Sequence, residues 1–195
     1  MKIVGLTGSI AMGKTDTGRL FAEQGIPVFD SDAVVHKLYA KGGKAAAAVK
    51  KLCPEAVVAG AVDRRRLTLA LVERPGLLEK LEAAVHPLVR KELVRFLKAE
   101  RSKDSPVVVV DVPLLFETRR ENEFDVIVVV TAPPEIQKQR ALARPGMTEE
   151  KLKLFLSRQM PDAQKRARAD YVVETGKGHD FARSQVKRIV NQLRA

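Results

Sequence analysis

The chain has 195 residues, 45% of them apolar and 30% charged, which excludes a disordered protein and leaves room for one domain with a sizeable buried core. Lysine and arginine outnumber aspartate and glutamate by 35 to 24, and the resulting charge of +11 suits a polyphosphate or a nucleic acid partner in sign. One cysteine, Cys53, excludes an internal disulfide, and no apolar stretch reaches a membrane span, the longest, 107–116, being cut by Asp111 and Pro113. With no secretory leader in the first residues, a cytoplasmic location is expected, with no membrane partner.

Short β-branched runs at 2–7, 26–29, 107–111, 126–131 and 171–174 alternate with amphipathic stretches. That alternation predicts an α/β fold of three layers, a five-stranded parallel sheet between helices, in a single domain over 1–195. The first run carries Ile3, Val4 and Leu6 and leads into Gly8-Ser9-Ile10-Ala11-Met12-Gly13-Lys14-Thr15, which meets G-x-x-x-x-G-K-[ST] at every fixed position. Average residue usage gives such a match on the order of once in a hundred chains of this length. The strand before it and the apolar helix face after it, beginning at Leu20 and Phe21, narrow the odds further.

The glycines at 8 and 13 let the backbone curl so that its amides converge on phosphate oxygens, reinforced by a helix dipole. The expected ATP contacts are therefore Gly8, Ile10, Ala11, Met12, Gly13, Lys14 and Thr15, with Asp16 and Arg144 beside them. Lys14 bridges the β- and γ-phosphates, and Thr15 offers its hydroxyl to Mg2+, the expected cofactor of ATP. A glycine-rich turn of purely structural purpose explains the glycines but leaves the Lys-Thr pair without a reason.

After the second run comes Asp30-Ser31-Asp32, at the carboxyl end of a strand, where ligands collect in parallel sheets. Asp32 is read as the carboxylate that accepts or orients an acceptor hydroxyl, with capping of a helix from Ala33 as its alternative, while Asp30 is read as structural. The segment 31–104 reads as a helical insertion and nothing else, with Asp63 as an N-cap and a helical pattern that stops near Val85 and resumes after Pro87. A second insertion, 133–170, with helix starts at Pro134 and Thr148, reads as a lid. Arg140 and Arg144 lie one turn apart on it, suited to the charge that spreads over phosphoryl oxygens during transfer. Val186, Ile189, Val190 and Leu193 mark a docked C-terminal helix.

Taken together, the phosphate loop after Leu6-Thr7, Asp30-Ser31-Asp32, Asp63-Arg64, His86-Pro87, the stretch from Asp111 to Glu117, Gln137 to Arg144, Arg158-Gln159 and Ala169 to Val173 resemble the bacterial dephospho-CoA kinase family over nearly the whole chain. The resemblance implies transfer of the ATP γ-phosphate to the 3′-hydroxyl of dephospho-CoA, giving CoA and ADP, on a P-loop kinase fold with a helical acceptor-binding insertion and a lid. It assigns catalysis to Asp32, Lys14 and Arg140. Acceptor binding falls to Thr7, Asp32, Arg64, His86, Leu114, Leu115, Phe116, Glu117 and Arg158, and the metal to Thr15 and, through water, Asp111. The chain departs from the family pattern at Thr118-Arg119-Arg120, where a small residue and glycine are usual, at Thr175, where asparagine is common, and at Ala11 and Met12, which replace glycine and serine.

The nearest rival is another small-molecule or nucleoside monophosphate kinase of the same architecture. From another class, a nucleic-acid-binding NTPase fits the charge, but aromatics are 5% of the chain and do not interleave with a basic stripe. The expected partners are thus ATP and dephospho-CoA, with no nucleic acid and a monomeric protein.

Overall fold

The structure, a computed structural model, describes all 195 residues. In chain order it runs β1 (Lys2–Gly8), α1 (Lys14–Glu23), β2 (Val28–Asp30), α2 (Ser31–Tyr39), α3 (Lys44–Leu52), β3 (Val57–Val58), β4 (Ala61–Val62), α4 (Arg64–Glu73), α5 (Leu77–Arg101), β5 (Val107–Asp111), β6 (Val126–Thr131), α6 (Pro134–Leu142), α7 (Glu149–Ser157), α8 (Asp162–Ala167), β7 (Tyr171–Glu174) and α9 (His179–Arg194). Two compact units result, one of residues 1–29 and 100–195 and the other of residues 30–99.

The first unit is built on the five-stranded parallel sheet, in the order β2-β5-β1-β6-β7. β1 lies at its centre, pairing Ile3 with Val108 on one side and Leu6 with Val128 on the other. Val107, Val108, Val109 and Val110 are all buried, as a strand covered on both faces requires. One face is packed by α1 and α9: Leu20 and Phe21 meet Val4, Leu6, Val107 and Val109 of the sheet and Val186, Ile189 and Val190 of α9 in one core cluster. On the other face the chain after β5 comes so close that a side chain at Gly5 would lie 2.7 Å from Leu115 and 2.9 Å from Phe124. Leu115 and Phe116 are accordingly core residues.

The second unit has its own core, in which Leu38, Ala45, Val49, Leu67, Ala70, Leu77, Leu81 and Val85 pack together. Three details differ from the sequence reading. Helices are interrupted by the short antiparallel hairpin of β3 and β4, whose turn puts Ala59 at φ 49° and Gly60 at φ 80°. Pro87 does not break the helix: α5 is continuous over 25 residues, so the missing Pro87 donor is absorbed inside it. Capping of α2 falls to Asp30, whose Oδ1 accepts from the Ala33 amide at 2.9 Å, and not to Asp32. Asp63 caps α4 as expected, its Oδ1 accepting from the Arg65 and Arg66 amides at 2.9 and 3.0 Å.

Candidate active site

The phosphate loop leaves the carboxyl end of the central strand. Gly8 is forced by space, since a Cβ there would stand 2.6 Å from the Val130 carbonyl oxygen. Gly13 is forced by conformation, at φ 90°, and sits as the N-cap of α1 with no side chain capping that helix. The helix N-terminus is therefore left to a ligand. Ala11 takes φ 61°, so the change from glycine is tolerated at the cost of a left-handed alanine, about 1–2 kcal/mol against an ordinary conformation. Met12 is buried, and its side-chain sulfur accepts from the Ala132 amide at 3.1 Å.

Lys14 is ion-paired with Asp111, both nearly buried, so the ammonium that serves the phosphates rests on the carboxylate at the end of β5. That contact brings together two of the residues the sequence singled out. Thr15, the next residue, is exposed. One carboxylate and one hydroxyl fit Mg2+, which keeps most of its waters and takes the remaining ligands from phosphate oxygens.

A cavity of about 350 Å³ opens beside the loop, lined by Ala11, Gly13, Asp16, Thr17 and Leu20 from the loop and α1, Arg140 and Arg144 from α6 and its end, and Thr175, Gly178, His179 and Ala182. It is the size of a nucleoside site. Asp16 pairs with Arg19 on the surface at 3.1 Å while lining this cavity. Arg140 donates to the Thr175 hydroxyl and to the Thr175 carbonyl, both at 2.8 Å. The same hydroxyl donates to the Met12 carbonyl at 2.8 Å. Thr175 thus ties Arg140 to the phosphate loop, a role that sequence reasoning missed, because the position stood out only as a departure from asparagine.

The acceptor residues divide. In the first unit, Thr7 is buried with its hydroxyl 3.5 Å from the Pro113 carbonyl. From Leu114 to Glu117, only Leu114 is exposed. Leu115 and Phe116 are turned into the core instead of toward solvent, because Gly5 and the sheet leave room for them there. Glu117 is spent on protein: its Oε1 accepts from the Met160 amide at 2.8 Å and pairs at 2.8 Å with Lys165, which is fully buried. Burial raises the Glu117 pKa, but the hydrogen bonds from Lys165 and Met160 and the Lys165 charge outweigh it and hold the carboxyl below its ordinary range. Arg158, the C-cap of α7, is exposed.

In the second unit, Asp32 lies exposed in the first turn of α2, Arg64 is the first residue of α4, and His86 is exposed on α5. With the cap supplied by Asp30, the Asp32 carboxylate is not committed to the helix end.

A phosphate loop leaving the central strand of this sheet, with a cavity lined by Arg140 and Arg144 beside it, marks a P-loop kinase fold. The family model for dephospho-CoA kinase matches residues 2–180. The chain is 50% identical to the dephospho-CoA kinase of Agrobacterium fabrum over the full length of both. A solved structure from Thermus thermophilus has 36% identity and a TM-score of 0.78 over 98% of this chain and 96% of that one. The dephospho-CoA kinase of Campylobacter jejuni shares the fold, with a TM-score of 0.70 at 19% identity over 98% and 97% of the two chains. The chain belongs to the dephospho-CoA kinase family.

Proposed function

We propose that the protein transfers the γ-phosphoryl group of ATP to the 3′-hydroxyl of dephospho-CoA, releasing CoA and ADP. The observation that carries this reading is the Lys14–Asp111 pair at the mouth of an uncapped helix N-terminus, in a chain of this family. The loop amides and Lys14 bind the triphosphate, and Lys14 exchanges its carboxylate partner for β- and γ-phosphate oxygens. The Thr15 hydroxyl and, through water, the Asp111 carboxylate would hold Mg2+, which would supply charge neutralisation on those oxygens. The 3′-oxygen forms a bond to the γ-phosphorus as the bond to the bridging oxygen of ADP breaks. Asp32 takes the hydroxyl proton, and its exposed, uncommitted carboxylate supports that role.

Arg140 and Arg144 bear on the nucleotide side, and Arg64, His86, Leu114 and Arg158 on the acceptor. Thr7, Leu115, Phe116 and Glu117 shape the loop after β5 from within. The same reading has the protein work as a monomer in the cytoplasm without nucleic acid, the last of these supported by the sparse aromatics. No helix is long and apolar enough to cross a membrane. The test is an assay of purified protein with ATP, Mg2+ and dephospho-CoA, following CoA by mass. CoA formed at a rate proportional to enzyme is expected, and its absence while another alcohol is phosphorylated would move the assignment to the rival kinases.

A further inference from the structure

Two glutamines from the 133–170 segment grip the phosphate loop at one residue. Gln137, on α6 and nearly buried, donates its side-chain amide to the Ile10 carbonyl at 2.9 Å. Gln159, just beyond α7, accepts from the Ile10 amide at 3.0 Å through its Oε1. Around this contact Ala11 packs against Ala141 and Leu152, with Ile10 and Met147 alongside. A single polar contact at a loop is ordinary, but here both peptide planes flanking Ile10 are fixed, each by a side chain from a different element.

Peptide geometry gives this grip a direction. The Ile10 carbonyl and the Ala11 amide hydrogen belong to one planar trans peptide and point opposite ways. Gln137, by holding the oxygen, turns the Ala11 N–H away from α6. Ala11 follows at φ 61°, a conformation an alanine does not choose unaided. Three residues further along α6, on the same face, Arg140 reaches the Met12 carbonyl through Thr175. One helix thus holds the loop on both sides of Ala11.

From this geometry, and resting on the reading of the loop as the triphosphate site, we propose that Gln137 and Gln159 are positioning residues that lock the Ile10 peptides so that the Ala11 amide faces the triphosphate. They replace, by external hydrogen bonds, the conformational ease that glycine would give at position 11. The two do so with opposite hydrogen-bond polarity: Gln137 must donate, and Gln159 must accept.

That polarity sets the test. Binding of MgATP is measured by calorimetry without acceptor, and amide hydrogen exchange at Ile10 and Ala11 is followed by NMR in the nucleotide-free protein. Gln137→Leu is expected to weaken MgATP about tenfold, the loss of one oriented hydrogen bond to an anion. The KM for dephospho-CoA should stay unchanged. Gln159→Leu should raise Ile10 exchange strongly, Gln159→Glu should restore protection because a carboxylate still accepts, and Gln137→Glu should behave as Leu does because it cannot donate. In Gln137→Leu, a further Ala11→Gly change should recover part of the loss, since glycine takes the left-handed conformation without the cost an alanine carries there.

MgATP affinity within about twofold of wild type in Gln137→Leu would overturn the proposal, as would equal effects of glutamate at the two positions. If a leucine variant fails to fold, the two glutamate variants carry the same comparison. Wild-type protein that fails to make CoA would sink the functional reading instead, while leaving the exchange experiment valid.

Discussion

At residue 32 the structure separates two jobs that the sequence left superimposed. An aspartate two residues past a strand end can be a helix cap or a base, and the sequence left both open for Asp32 while reading Asp30 as structural. Asp30 takes the cap, because its side chain reaches the Ala33 amide. Asp32→Asn is therefore expected to leave stability and MgATP affinity unchanged while kcat falls about 10²–10⁴-fold, the range for a lost general base. Steady-state kinetics beside calorimetry check it, and a kcat near wild type would return Asp32 to the surface. A second single-residue effect sits at Arg119, which occupies φ 55°, a left-handed conformation that favours glycine. Its side chain is exposed, so Arg119→Gly removes strain and little else. A gain of about 0.5–1 kcal/mol is expected, the left-handed cost less the entropy that glycine adds to the unfolded chain. In a chain of this size that is a rise of about 1–4 °C in Tm, read by thermal unfolding.

Between elements, a buried ion pair ties α8 to the loop after β5. Glu117 and Lys165 form a buried ion pair, Arg168 pairs with Glu121, and the Arg168 guanidinium lies 5.0 Å from the centre of the Phe116 ring. A fully buried ammonium left without its carboxylate is costly, so Glu117→Leu alone is expected to destabilise by about 3–5 kcal/mol. Glu117→Leu with Lys165→Met should recover most of that, since an apolar pair of similar volume is often neutral. Denaturant unfolding of the two single variants and the double closes the cycle. The pH dependence has a definite sign. Because the Glu117 pKa is held below its unfolded value, its contribution is complete at neutral pH and is lost as pH falls through the lowered folded pKa. Stability should thus fall on acidification below the ordinary glutamate pKa of about 4.3, less steeply in the double variant.

None of this was legible from Glu117 itself. The resemblance assigned Glu117 to the acceptor through the Pro-Leu-Leu-Phe-Glu stretch, and the ion pair was hidden because its partner lies 48 positions away on α8, a helix that the pattern of the lid did not reveal. The strands at 107–111 and 126–131 were legible because burial on both faces leaves a run of β-branched residues that only a covered sheet explains. Pro87 misled for the opposite reason. A local rule ends helices near proline, and packing of Val85 and Leu88 into the second unit's core carries α5 through it.

For the molecule as a whole, the one property visible without any motif is the charge of +11. It made nucleic acid a rival and anionic substrates an expectation, and the charge alone could not separate these because a sum of charges has no direction; only the sparse aromatics spoke against nucleic acid. The structure gives the charge a local context: Lys14, Arg140 and Arg144 belong to the phosphate loop and its adjoining cavity, where negative phosphates would meet them. Long-range attraction of MgATP and of the acceptor then contributes to encounter, and encounter is screened beyond a Debye length of about 8 Å at physiological ionic strength. Raising KCl from about 0.02 to 0.3 M is expected to lower kcat/KM for both substrates several-fold while kcat changes by less than about twofold, because chemistry proceeds among charges already in contact. Sucrose at matched viscosity controls for diffusion. Tight binding of a DNA duplex at physiological salt, with a steep loss as salt rises, would instead give the charge to nucleic acid.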